Sequence, residues 1–279
     1  MPLHLIATVA LAPVLVAQGR RVRRTTPRLP EAAGAREGLA HCATSPPAAI
    51  APMAAPFRLL IAGDSSAAGV GVDTQAQALS GLLPTRLAQA LGRPVTWRLV
   101  ARTGAMIDDL TALLHAIPVQ PFDAAVIAIG VNEVTARTPQ KLWRARLDAL
   151  ATLLRTRFEL PAIVFSALPP MHLFPALPQP LRWYLGTQAR RLDATLARWA
   201  DEQAPKGVRR IAIDLGAQDA SARRAGGGDA LVASDGFHPG PRAYRAWAEG
   251  LAAAMAAAAD TTQPHRTTTD QKKPSLLSL

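Results

Sequence analysis

The chain has 279 residues, 49% of them hydrophobic and 5% aromatic, with a formal net charge of +11. That much apolar chain supports a real buried core, in one large domain or two small ones. The charge is nearly all Arg, and much of it falls in "GRRVRR" (19–24) and "RTTTDQKKP" (266–274), outside the regular part of the chain. Because no basic stripe is interleaved with aromatics, nucleic acid is excluded as an expected partner. Cys42 is the only cysteine, which excludes an intrachain disulfide and mildly favours a reducing compartment.

Residues 2–18, "PLHLIATVALAPVLVAQ", are mostly apolar, and the basic cluster follows them. A secretory signal carries its basic residues first, so the charge order here is reversed. Positive residues stay cytoplasmic, and an inserted segment would leave the rest of the chain inside. The run is short for a span and contains Pro13. Three readings stay open: membrane contact or anchoring, an extra helix packed on the domain, or a cleaved signal. The expected location is the cytoplasm or the cytoplasmic face of the membrane, with export as the alternative. Residues 1–24 form this apolar segment with its basic cluster, and 25–56, rich in Pro, Ala and Gly without a sustained period, read as a linker.

From Phe57 the pattern becomes regular, and 57–259 reads as the folded domain. "FRLLIAG" (57–63), "VTWRLVA" (95–101), "DAAVIAIG" (123–130), "AIVFSAL" (162–168) and "RRIAIDL" (209–215) read as strands. Continuous apolar runs of this kind suit a parallel sheet covered on both faces. Helical patterns lie between them at 76–91, 105–117, 139–157, 187–203 and 241–259. In 139–157, Trp143, Leu147, Leu150 and Leu154 fall on one stripe facing the sheet. The glycines of 224–230 read as a surface loop, and 260–279 as a disordered basic tail.

Five alternations of strand and helix predict an α/β fold: a three-layer α/β/α sandwich around a five-stranded parallel sheet. Ligands in such sheets bind beyond the carboxyl ends of the strands. Ser65 follows the first predicted strand, Gly104 the second and Asn132 the third, so all three converge on one rim.

A serine hydroxyl needs a base, and the base needs a group to orient it. Of the six histidines, His238 stands apart: it lies in "SDGFHPG" (234–240), with Asp235 three positions earlier. At that spacing the carboxylate reaches one ring nitrogen while the other faces the strand ends. Acyl transfer also needs donors where the oxyanion forms. The candidates are the N–H groups of Ser65 and Gly104 and the side-chain amide of Asn132, the only asparagine. Each feature has a plain turn or strand-exit reading; the force lies in their order along the chain.

The ordered set resembles the SGNH hydrolase superfamily, or GDSL esterase/lipase family, over about residues 57–255. Its blocks read here as "GDSSAAG" (63–69), Gly104, "GVNE" (130–133) and "DGFH" (235–238). The resemblance implies an SGNH/flavodoxin-like sandwich and hydrolysis of carboxylic esters or thioesters with neither metal nor cofactor. It casts Ser65 as nucleophile, His238 as base and then acid, Asp235 as its orienter, and Ser65, Gly104 and Asn132 as the oxyanion hole. Glu133 departs from the family's usual Asp and is expected to alter local loop bonding. A carbohydrate O-deacetylase, or an inactive binding module on the same fold, are the alternatives. Oligomeric state is not legible.

"PPMHLFPALPQPLRWYLG" (169–186) falls on the same rim. Met171, Leu173, Phe174, Leu177 and Trp183 are expected to form an apolar wall for a small or lipid-like acyl group, or else to pack on the domain's own core.

Overall fold

The computed structural model describes residues 3–42, 55–212 and 231–260. Five strands run parallel: β2 (Phe57–Gly63), β3 (Val95–Ala101), β4 (Ala124–Ala128), β5 (Ala162–Ser166) and β6 (Val208–Ile211). A sixth, β1 (Glu37–Ala40), pairs antiparallel with β3, and the sheet order is β1-β3-β2-β4-β5-β6.

Period-two alternation divides each central strand between two cores. Leu60 and Ala62 of β2 face one layer with Ala125 and Ile127 of β4; Leu59 and Ile61 face the other with Ala124 and Val126. The first layer holds α3 (Ile107–Ala116), α5 (Gln140–Phe158) and α6 (Leu181–Gln203). The second holds α2 (Leu79–Leu91) and α7 (Pro241–Asp260). The α5 stripe of Trp143, Leu147, Leu150 and Leu154 is wholly buried, at roughly 1.5–3 kcal/mol of transfer free energy per side chain.

Within 25–56, the described residues up to Cys42 do more than link. Residues 37–40 add the sixth strand to the five expected, and Ala33 bridges Thr74. β1 is short and mostly exposed, because an edge strand covers little core, and its four residues are too few to show an apolar period. An ion pair from Arg98 to Glu37 at 2.5 Å and the bond from Leu99 N–H to the Arg36 carbonyl at 2.7 Å hold it.

The N-terminal segment forms α1 (Leu3–Thr25), which packs on α6. Leu15 joins the first core, and the Gln18 amide donates to the Gln179 carbonyl at 2.7 Å and accepts the Leu181 N–H at 3.1 Å. Among the described residues, no helix is long and apolar enough to cross a membrane. The end of the strand expected at 209–215, the glycine loop at 224–230 and nearly all of the tail at 260–279 lie outside the described residues.

One register relationship positions everything that follows. Gly63 stands opposite Ala101 on one side and Ala128 on the other, so β3, β2 and β4 end level. The parallel strands change winding direction between β2 and β4, where a crevice opens in sheets of this order.

Candidate active site

The chain leaves β2 through a tight turn that only glycine permits. A Cβ at Gly63 would lie 1.9 Å from the Ala128 carbonyl oxygen, so a side chain there would force the strands apart. The next residue, Asp64, is buried and donates its own N–H to that oxygen at 3.0 Å. Its Oδ1 accepts both the N–H of Ser66 at 3.0 Å and the Ser66 hydroxyl at 2.8 Å. From the far side, the Tyr244 hydroxyl donates to the carbonyls of Ser66 at 2.9 Å and Val70 at 2.8 Å. The paired serines are thus distinguished: Ser66 is tied into the turn.

Ser65 is half-buried, and its hydroxyl donates to His238 Nε2 at 2.9 Å. His238 Nδ1 donates in turn to Asp235 Oδ2 at 2.5 Å, which assigns the ring tautomer by its acceptor. The other oxygen, Oδ1, accepts the N–H groups of Phe237 at 2.9 Å and His238 at 3.0 Å. Gly236 makes this loop at φ +69°, and its carbonyl takes the Ala176 N–H at 3.1 Å. Burial raises the Asp235 pKa, but the bonds from His238 and the two N–H groups outweigh it, leaving the pKa below the usual carboxylate value. Asp64 goes the other way: burial pushes its pKa up, against the bonds from Ser66 and the His238 charge.

The oxyanion candidates occupy the neighbouring strand ends. Gly104 turns at φ +79° after β3 and is exposed. Among the described residues, neither its N–H nor that of Ser65 is donated to another group. Asn132 lies on α4 (Val131–Thr135), and its amide donates to the Ala105 carbonyl at 3.0 Å, which aims the group along the Gly104 loop. Beside it, the fully buried Glu133 accepts the Ile107 N–H through Oε1 at 2.7 Å, while Oε2 has no partner. Burial pushes the Glu133 pKa up to about 7; the Ile107 bond opposes this, the Asp64 charge adds to it and Arg146 opposes it again.

The expected acyl wall is divided by the structure. Met171 is fully buried in the core and Leu173 is 60% exposed, because the short turn Met171–Leu173 sends its ends to opposite environments. These two form no wall, and Trp183 is half-buried at the start of α6. Phe174 meets the Phe237 ring edge to face at 4.9 Å, and Leu177 lines an apolar cavity taken up below. Tyr244 was not singled out in the sequence: in "GPRAYRAWAEG" its spacing marks it only as a core position.

A flavodoxin-like sandwich with a Ser–His–Asp relay at the rim where its winding reverses defines a recognisable class. Residues 61–246 match the model of the GDSL-like lipase/acylhydrolase family, and the chain belongs to that family. It is 32% identical over 199 residues to the GDSL-like esterase Rv1075c of Mycobacterium tuberculosis, covering 71% of this chain and 61% of that one. The chain therefore spans about three fifths of that relative's length. Two solved structures share the fold. A lipolytic G-D-S-L family protein from Veillonella parvula DSM 2008 superposes with a TM-score of 0.51 at 14% identity, over 71% of this chain and 97% of that one. The lipase Lip_vut3 from a goat rumen metagenome gives 0.52 at 18% identity, over 71% and 97%.

Proposed function

We propose that this protein is a serine hydrolase that cleaves carboxylic esters or thioesters through an acyl-enzyme at Ser65. The supporting observation is the unbroken relay from Ser65 Oγ through His238 to Asp235, at 2.9 and 2.5 Å, beside two free N–H groups and a fixed amide. Ser65 attacks the acyl carbon as His238 Nε2 takes its proton. The same ring returns that proton to the leaving alcohol or thiol, and then activates the water that frees the acid. Asp235 holds the ring and stabilises its charged form without taking the proton. In this reading the Ser65 and Gly104 N–H groups and the Asn132 amide bind the oxyanion, where preorganised donors are worth most.

The test is labelling of the purified protein with a fluorophosphonate, together with hydrolysis of p-nitrophenyl acetate. Both are expected in the wild type and neither in Ser65→Ala. Labelling that persists in folded Ser65→Ala moves the nucleophile elsewhere, and a folded wild type that neither labels nor hydrolyses any ester defeats the reading.

A further inference from the structure

An apolar cavity of about 510 Å³ lies between α1 and the body of the protein. Leu15 and Gly19 of α1 line it on one side, and Leu181 and Leu185 of α6 on the other. The Gln18 bonds to Gln179 and Leu181 hold α1 in place as its outer wall. Three arginines reach the lining, Arg20, Arg23 and Arg137, and all three are exposed residues, so their stems border the cavity while their charges meet water.

Two further lining residues join the cavity to the catalytic rim. Phe237 directly precedes His238, and their rings meet edge to face with centroids 5.4 Å apart. Thr135 lies one turn along α4 from Asn132 and donates its hydroxyl to the Asn132 carbonyl at 3.0 Å. The cavity thus borders a residue adjacent to the base and one bonded to the main chain of Asn132. It opens to solvent beside α1, and its volume is in the range of small-molecule sites.

We propose that this cavity receives the acyl chain of the ester cleaved at Ser65, so that α1, outside the matched 61–246, is part of the substrate site; this rests on the serine-hydrolase reading above. The acyl chain is the apolar part of an ester and is bonded to the carbonyl carbon that Ser65 attacks. Phe237, whose ring meets that of His238, lines the cavity. The lining between the arginines is aliphatic and aromatic, and each methylene buried there strengthens binding about fourfold.

The experiment uses the full chain and p-nitrophenyl esters from acetate to dodecanoate. Wild-type kcat/KM is expected to climb with chain length and then level off. A Cβ at Gly19 meets nothing within 4 Å, so Gly19→Phe is accommodated at its root, brings a ring to the cavity wall and favours the helix. It is expected to lower the octanoate-to-acetate ratio of kcat/KM about tenfold. Ala12→Phe, on the same wall, is the second test and should act in the same direction. Val9→Ser, on an exposed position of α1 away from the lining, should keep the wild-type ratio. A flat wild-type profile, or unchanged ratios in both Phe variants while acetate is still cleaved, overturns the cavity assignment and leaves the hydrolase reading standing. Loss of hydrolysis of every ester by the wild type overturns both.

Discussion

Glu133 and Ile107, one on α4 and the other opening α3, are joined by a 2.7 Å bond from the Ile107 N–H to a fully buried carboxylate. The residue before Glu133 supplies the amide that bonds Ala105. Together they clamp the stretch after Gly104 against the end of β4. Glu133 stands where the family's third block usually has Asp, and its carboxylate here accepts the Ile107 N–H.

That clamp has a pH signature. The Glu133 pKa in the folded chain, raised to about 7 from 4.5, makes the folded state bind the extra proton. Its contribution is therefore unfavourable above about pH 7 and disappears below the unfolded value. Glu133→Gln removes the charge and keeps an oxygen for Ile107. Urea unfolding should show the Gln variant gaining on the wild type by about 2 kcal/mol between about pH 5.5 and about pH 8.5. A difference independent of pH would show that Glu133 does not titrate in this range.

Asp235→Asn keeps an acceptor for the two loop N–H groups but can present an amide to His238 Nδ1, favouring the wrong tautomer. We expect kcat for p-nitrophenyl acetate to fall roughly 10³- to 10⁴-fold with thermal stability little changed. Retention of activity within about tenfold would remove Asp235 from the relay.

Asn132→Ala withdraws one oxyanion donor. The expected loss is about 10²- to 10³-fold in kcat, with KM little affected, since the charge it meets develops only in the transition state. A KM effect alone would reassign the amide to ground-state binding.

The adjacent serines should separate cleanly. Ser66→Ala leaves Asp64 with a backbone donor but without the hydroxyl at 2.8 Å. Stability should drop by about 1–3 kcal/mol in urea unfolding, while fluorophosphonate labelling persists. Labelling lost in folded Ser66→Ala and retained in folded Ser65→Ala would exchange their roles.

The strands β2 and β3 stand where the sequence pattern puts them, at 57–63 and 95–101, because their carboxyl halves, Leu59 to Gly63 and Leu99 to Ala101, are buried and therefore apolar. β1 left no such trace: an exposed edge strand is held by main-chain pairing and an ion pair, neither of which needs an apolar residue. α6 begins at Leu181 rather than 187, with Pro180 directly before its first residue, a place where proline's missing N–H is not needed. Ser65, His238, Asp235 and Asn132 could be picked out because turn residues and polar groups are conspicuous at the ends of apolar runs. Met171 and Leu173 could not be sorted, since which side of a short turn meets the core is decided by α6 packing over it.

The oxygen and the ring nitrogen that share a proton at the rim are 173 positions apart in the chain. A ribosome releasing this polypeptide therefore exposes the serine turn long before the histidine loop has been synthesised. Until that loop is made and packed beside the serine turn, the hydroxyl of Ser65 has no imidazole to donate to.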